Sequence, residues 1–341
     1  MANIRMVAKT AGVSTATVSR VINNSGSVTP ETARRVQQVV EELEYSTNRL
    51  GVNLRKNQSR LVLVLLPTLT NEFYTELLEG VATCADEYDY NVVIGDVNHS
   101  SPRASRFIQL ANHHQVDGVI LTHHLFSPVN FKRLISAVPV VQCCGYDPVI
   151  QTACVTTNDI RASYEAVKYL IDIGHKRIGY LGVALSTADP ETGREKGYRR
   201  ALSDNGLVCK EEWIEHAASF DFHPCMLAAE EYLRSHPKLD AVFCSSDVLA
   251  YGVIRAAQKL KKRVPEDLSV IGYDNISLSE LAFPTITTIS QNRRKIGYNS
   301  MKNLVDQMQG IDTAQDLVTY VDHELIIRES TAPKAGFQTN Q

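Results

Sequence analysis

Residues 3 to 23, NIRMVAKTAGVSTATVSRVIN, leave the start of the chain few options. Val7, Ala8 and Ala11 form a small apolar face at helical spacing, and Gly12 supplies a turn position that tolerates positive φ. Ser14 is placed to cap a second helix. In it Val18, Val21 and Ile22 face inward, while Thr15, Ala16, Thr17, Ser19 and Arg20 stay small or polar. Two short helices about a glycine turn, the second with a polar outer face, make the helix-turn-helix that sets its second helix in the major groove of DNA. The same pattern also fits an ordinary αα-hairpin inside a larger domain. The rest of the chain decides.

A third helix is expected next. Thr29 caps it, Pro30 suits its first turn, Glu31 complements the dipole, and Val36, Val39, Val40 and Leu43 make a stripe that roofs the first two helices. Charge is divided unevenly. The first 60 residues carry nine basic side chains against four acidic ones, so a chain of net charge -3 has a basic head on an acidic body. That is the footprint of a nucleic-acid contact confined to one end. Residues 48 to 58, NRLGVNLRKNQ, are too few and too polar to hold a helix alone. They read either as a solvated linker or as a hinge that becomes helical on DNA. In the second case Leu54 is a minor-groove wedge, with Arg49, Arg55 and Lys56 beside the phosphates.

These segments, VAKTAGVSTATVSRVIN followed by TPETARRVQQVVEELEYSTNRLGVNL, resemble the head and hinge of the lactose/galactose repressor family of bacterial transcription regulators, and the likeness runs through residue 330. The resemblance implies base reading by Thr15, Ala16 and Arg20, positioning contacts from Ser14, Thr17, Ser19, Asn23 and Asn48, and hinge contacts from Leu54 and Arg55. For Arg20, a guanidinium fork matches the O6/N7 edge of guanine. Met6 stands where the family usually has aspartate, and Gly51 replaces the usual hinge alanine. The latter costs up to about 1 kcal/mol of helix propensity.

From RLVLVLLP, residues 60 to 67, the pattern changes to continuous apolar runs alternating with amphipathic stretches. Strand-like and helix-like segments repeat in two series that meet near residue 158, which implies two parallel sheets with helices on both faces. Ligands of such folds lie in the crevice outside the carboxyl ends of the strands. The family likeness sharpens this to a small all-α helix-turn-helix head plus an α/β body of two doubly wound parallel-sheet lobes, like a periplasmic binding protein, with three crossovers. The expected domains are residues 1–47 (head), 48–58 (hinge helix), 59–330 (effector binding and dimerisation) and 331–341 (a flexible tail). Within the body, lobe 1 takes about 60–157 and 290–320, and lobe 2 about 158–289 and 321–330.

Candidate effector contacts sit at strand ends and loops. Phe73 and Tyr74 can stack on a sugar or base ring. Arg194 can grip hydroxyls or a carboxylate, and Asp274, closing LSVIGYD, can accept from adjacent hydroxyls. His123, Phe220 and Gln291 complete the set, together with Ser246 and Asp247; of these two, Asp247 is read as the helix cap and Ser246 as nearer the ligand. The resemblance matches these positions to effector contacts.

The His113-His114 and His123-His124 doublets lack metal-ligand spacing, and the seven cysteines are odd in number without CxxC spacing. No metal, cofactor or disulfide framework is expected. Walker, G-x-S-x-G, Rossmann-glycine and H-E-x-x-H motifs are absent, so enzyme activity is not expected. Neither a signal peptide nor an apolar run of membrane-spanning length occurs, which points to a cytoplasmic protein with no membrane partner. The reading is a sequence-specific DNA-binding regulator, a repressor, working as a homodimer on a pseudo-palindromic double-stranded operator. Its affinity is controlled by a small sugar-like or nucleoside effector between the lobes; aromatics plus Arg and Asp suit a monosaccharide, a sugar phosphate or a nucleoside about equally well. A plain solute-binding protein is the runner-up, disfavoured by the basic head.

Overall fold

The computed structural model describes residues 2–22, 25–45, 58–97, 101–122, 128–146, 152–183, 190–311, 317–334 and 336. It divides into two units, residues 1–59 and 60–341. In the first, α1 (Ile4–Ala11) begins at Asn3, whose side chain accepts from the Met6 N–H at 3.0 Å. It ends at Gly12, which takes φ +66° and so bends the chain where a Cβ would be strained. α2 (Thr15–Ile22) is capped by Ser14, which accepts from the Thr17 N–H at 3.1 Å. α3 (Pro30–Glu42) is capped by Thr29, with Pro30 in its first turn. Val7, Val18 and Val36 are fully buried at the centre of the three helices, and Val40 and Leu43 pack at its edge. Each such side chain contributes about 1.5–3 kcal/mol by leaving water, which is how so small a unit holds together.

The second unit contains two six-stranded sheets. Its elements, in chain order, are β1 (Leu61–Leu66), α4 (Phe73–Glu87), β2 (Asn91–Asp96), α5 (Ser101–Asn112), β3 (Gly118–Leu121), α6 (Pro128–Ala137), β4 (Val140–Cys143) and β5 (Cys154–Thr157). A second series follows: α7 (Asp159–Asp172), β6 (Ile178–Val183), α8 (Pro190–Asp204), β7 (Ile214–Ala217), α9 (Phe222–Ser235), β8 (Ala241–Cys244), α10 (Asp247–Lys259), β9 (Ser269–Asp274), α11 (Ser277–Leu281) and β10 (Thr287–Ser290). Last come α12 (Arg293–Met308), β11 (Val318–Val321) and β12 (Glu324–Ile326).

The sheet that the chain enters first, called proximal from that order alone, runs β11-β5-β4-β3-β1-β2, and the second, called distal, β12-β10-β9-β8-β6-β7. The chain therefore passes from one sheet to the other after β5, after β10 and after β11. All pairings in both sheets are parallel except β12 on β10, a short antiparallel edge. That edge aside, both sheets are parallel, as the sequence pattern implied. Val62 to Leu66 are all buried, as befits a strand covered on both faces.

α12 packs on α4 at backbone contact. A Cβ at Gly80 would lie 2.0 Å from the Arg294 carbonyl oxygen, and one at Gly297 2.0 Å from that of Leu77. This clamps the helix of the second crossover to the proximal sheet. Ile276, from the distal lobe, is buried in the same core as Phe73 and Leu77, so the lobes are joined beside the crossovers.

The expected tail does not start at residue 331. Ser330 and Thr331 are buried, and the Ala332 carbonyl and Lys334 N–H bond to His175 and Ile173 of the distal lobe. Lys334 also lies 3.4 Å from Asp240, whose carboxyl is raised by burial. The His175 hydrogen bond, the Arg177 N–H and Lys334 outweigh that and hold it at about 2. Satisfied backbone groups and a half-buried ion pair fix this stretch.

Candidate functional site

In the head, α2 exposes Thr15, Ala16 and Arg20, with Ser14 exposed at its cap and Thr17 and Ser19 half-buried. The Ser14 and Thr17 hydroxyls bond each other at 2.9 Å, which pins the first turn of the helix. The Arg20 side chain runs past Gly26, with Cδ 3.6 Å from where a Cβ there would be. Exposed groups on one face of a short helix, with Val18 and Val21 buried on the other, suit insertion in a major groove. Asn23, Asn48, Leu54 and Arg55 lie outside the described residues.

In the body, the carboxyl ends of the two sheets bring a charged cluster together. Arg194, on α8, is buried. Its Nε donates to Asp159 Oδ1 at 3.2 Å, Nη1 donates to the Ser245 carbonyl and lies 3.7 Å from Asp274 Oδ1, and its guanidinium covers the Tyr273 ring at 3.9 Å. Tyr273 Oη donates to the same Asp159 oxygen at 2.6 Å. Gln291 Nε2 donates to Asp274 Oδ1 at 2.6 Å. Arg194, Asp274 and Gln291, found from sequence, are thus in one place. Asp159, Tyr273 and Ser245 were not anticipated. Asp159 follows β5 as Asp274 ends β9, so strand-end position was a usable signal for it.

Electrostatics and backbone agree that this is a special place. Burial pushes the Asp274 carboxyl up, against the pull of Arg194, Arg293 and the Gln291 hydrogen bond, and it settles at about 6. Burial likewise raises Asp159, opposed chiefly by Arg194. Asp274 and Asn275 take φ of +110° and +55°, and Asn292, two elements on, takes +52°. Non-glycine residues in that region cost of order 1–3 kcal/mol each and persist where surroundings force them.

Tyr74 approaches from the proximal lobe. It is half-buried, bonds Thr122, and its phenol is pushed up by burial first, with nearby Cys144 and Asp274 adding to the rise. Phe73 is a correction: it lies in the proximal core, edge-on to Tyr74 at 5.2 Å, so any ring surface offered by this pair is that of Tyr74. Phe220 is half-buried against the distal core at the end of β7. His123 lies outside the described residues.

The helix cap of α10 is Ser246, not Asp247. The Ser246 hydroxyl accepts from the Leu249 N–H at 3.2 Å. Asp247 is fully buried, accepting from the Ile276 N–H at 2.9 Å and Thr288 Oγ1 at 2.6 Å. It braces the loop after β9, which carries Asp274.

Arg293, also unanticipated, ties the lobes. Its guanidinium donates to the Glu72 and Phe73 carbonyls on the proximal side and to the Asn275 carbonyl on the distal side, and pairs with Glu76 at 3.2 Å. Glu72 Oε1 accepts from the Ser277 N–H across the same junction at 2.9 Å. Among the described residues no group of His, Cys, Asp and Glu could hold a metal ion, and no helix is long and apolar enough to cross a membrane.

Residues 3–48 match the lacI family of bacterial regulatory proteins, and residues 167–331 match the periplasmic binding protein-like domain. The chain is 35% identical over 336 residues to the HTH-type transcriptional repressor CytR of Escherichia coli (strain K12), covering 97% of this chain and 96% of that protein. The transcriptional regulator CelR, solved in complex with cellobiose, superposes with a TM-score of 0.72 at 28% identity, covering 97% of this chain and all of that one. A Lac repressor dimer bound to operator and the anti-inducer ONPF superposes with a TM-score of 0.86, covering 97% of this chain and 99% of that one; at 24% identity it speaks for the fold alone. A helix-turn-helix head, a two-lobed body and likeness along nearly the whole chain lead to one conclusion: this protein belongs to the lacI family of DNA-binding transcriptional regulators, and is not an enzyme.

Proposed function

We propose that the crevice between the sheets binds a small hydroxyl-rich effector through Arg194, Asp274, Gln291 and Tyr74, and that its occupancy sets the affinity of the head for operator DNA. The observation that carries this is the buried Arg194–Asp274–Gln291 cluster at the carboxyl ends of the strands. A carboxylate there accepts from adjacent hydroxyls, a guanidinium donates to them, and a half-buried tyrosine ring can cover the flat side of a sugar or base. Buried ion pairs are a poor source of stability, so a cleft that holds one is a functional-site candidate. The relative CelR, solved with a disaccharide, supports the same chemistry.

Two heads on a homodimer would read a pseudo-palindromic site. Leu281 and Phe283, 82% and 84% exposed on the distal lobe, are apolar surface that pairing with a second copy would bury. Residues 48–58 carry the signal in this reading. They fold as a pair on DNA with Leu54 as wedge, and a change in lobe geometry alters the spacing of the pair. The test is calorimetry with sugars and nucleosides on the full chain, repeated on Asp274→Ala. Binding by the parent and none by the variant is expected, and equal binding by both would remove the crevice from consideration.

A further inference from the structure

Eleven strands, β1 to β11, run parallel within their sheets, so their carboxyl ends share the crevice side of each lobe. The segments that leave those ends, up to the next helix or strand, contain no lysine or arginine at all. They carry carboxylates instead, among them Glu72, Asp221 and Asp322. Basic residues are not scarce in the distal lobe. Those that lie between its helices and strands gather at the opposite pole, in the segments that lead into β6 to β9: Lys176, Arg177, Lys210, Lys238 and the Lys261–Arg263 run.

Two features could still attract an anion, and each already faces a partner or a carboxylate. Helix N-termini favour negative charge. Those of α7, α10 and α12 are capped by Asn158, Ser246 and Asn292, and α7 and α10 also carry Asp159 and Asp247 in their first turns; those of α4 and α9 have no side-chain cap but begin at the carboxylates Glu72 and Asp221. The two buried arginines of the crevice face acceptors of their own: Arg194 has Asp159, Asp274 and the Ser245 carbonyl, and Arg293 has Glu76 and three carbonyls. A phosphate entering here would add charge beside Asp159 and Asp274 without any uncommitted arginine or lysine from the strand-end segments to receive it.

We infer that the effector of this protein is an uncharged polyhydroxyl compound, a neutral sugar or nucleoside, and that the charge of the crevice rejects its phosphorylated counterpart. The inference rests on the crevice being the effector site. It is tested by calorimetry on the full chain with the common aldopentoses, aldohexoses and their disaccharides and the four ribonucleosides, each monosaccharide and nucleoside paired with its monophosphate. At least one neutral compound binds, and its monophosphate binds about a hundredfold more weakly or not at all. A monophosphate that binds as well as its neutral parent overturns the inference, and so does a panel in which no neutral compound binds.

The same compounds are then added to complexes of the protein with duplex DNA that it has selected from random sequence. A neutral binder without effect on DNA affinity contradicts the effector reading and leaves the charge inference standing. A monophosphate that binds tightly and changes DNA affinity does the reverse.

Discussion

Arg194 and Tyr273 share a single acceptor. The guanidinium lies 3.9 Å over the ring, and both groups donate to Asp159 Oδ1, at 3.2 and 2.6 Å. An arginine held by stacking and by a carboxylate at its inner edge has little freedom left, so its direction towards Asp274 is set by the protein before a ligand arrives. Such preorganisation lowers the cost of binding.

Tyr273→Phe keeps the stacking and deletes the hydrogen bond to Asp159. Effector affinity is expected to fall about tenfold, the equivalent of one charge-assisted hydrogen bond at about 1.4 kcal/mol. Operator affinity without effector stays unchanged. Calorimetry and a DNA-binding titration on the same preparation check both halves.

Asp274 gives effector binding a pH dependence. Its carboxyl sits at about 6 because burial raises it, against about 3.9 for a free aspartate. The native state therefore holds the proton more tightly than the unfolded chain. Asp274 favours folding as pH falls from about 6 towards about 4, and withdraws that contribution as pH rises. Ligand binding has the opposite sign, because hydroxyls donate to the ionised form. Affinity should be level above about pH 7 and drop about tenfold per unit below about 6, and Asp274→Asn should flatten the profile.

Gly297→Ala tests the contact between α4 and α12. The new Cβ would sit 2.0 Å from the Leu77 carbonyl oxygen, backbone that cannot swing aside. A loss of about 3 kcal/mol is expected, at the upper end for overpacking, with thermal unfolding several degrees lower. A melting curve matching the parent would mean that the two helices separate freely.

In the head, two substitutions should differ in kind. Arg20→Ala, on the exposed face of α2, should cost about 1–3 kcal/mol at the specific site and relax preference at one base pair. Leu54→Ala should abolish specific operator binding while effector binding persists. Competition between selected and scrambled duplexes separates the two, and an unchanged operator affinity for the Leu54 variant would remove the wedge.

The head was readable because its signals are local. Ser14, Gly12, Thr29 and the valine stripe each act within a turn or two of chain. The strands were readable as continuous apolar runs, but their pairing was not: β5 lies beside β11, more than 150 residues on, and only family likeness suggested the crossovers. Strand-end position found Asp274, and Arg194 followed from its place after a strand. It failed for Tyr273, since in a strand buried on both faces nothing in the sequence says which neighbour points where. Ser246 and Asp247 are equally good caps by type. Packing decided between them, through partners 29 and 41 residues away from Asp247.

The central claim is that crevice and operator are linked. The direct measurement is the dissociation constant for selected operator DNA, with and without saturating effector, alongside the constant for effector with and without saturating DNA. The account predicts that both ratios are the same factor, as linkage requires, and that Asp274→Ala brings the DNA ratio to one with ligand-free DNA affinity intact. A ligand that fills the crevice yet leaves operator affinity unmoved, or a response that survives in Asp274→Ala, would contradict it.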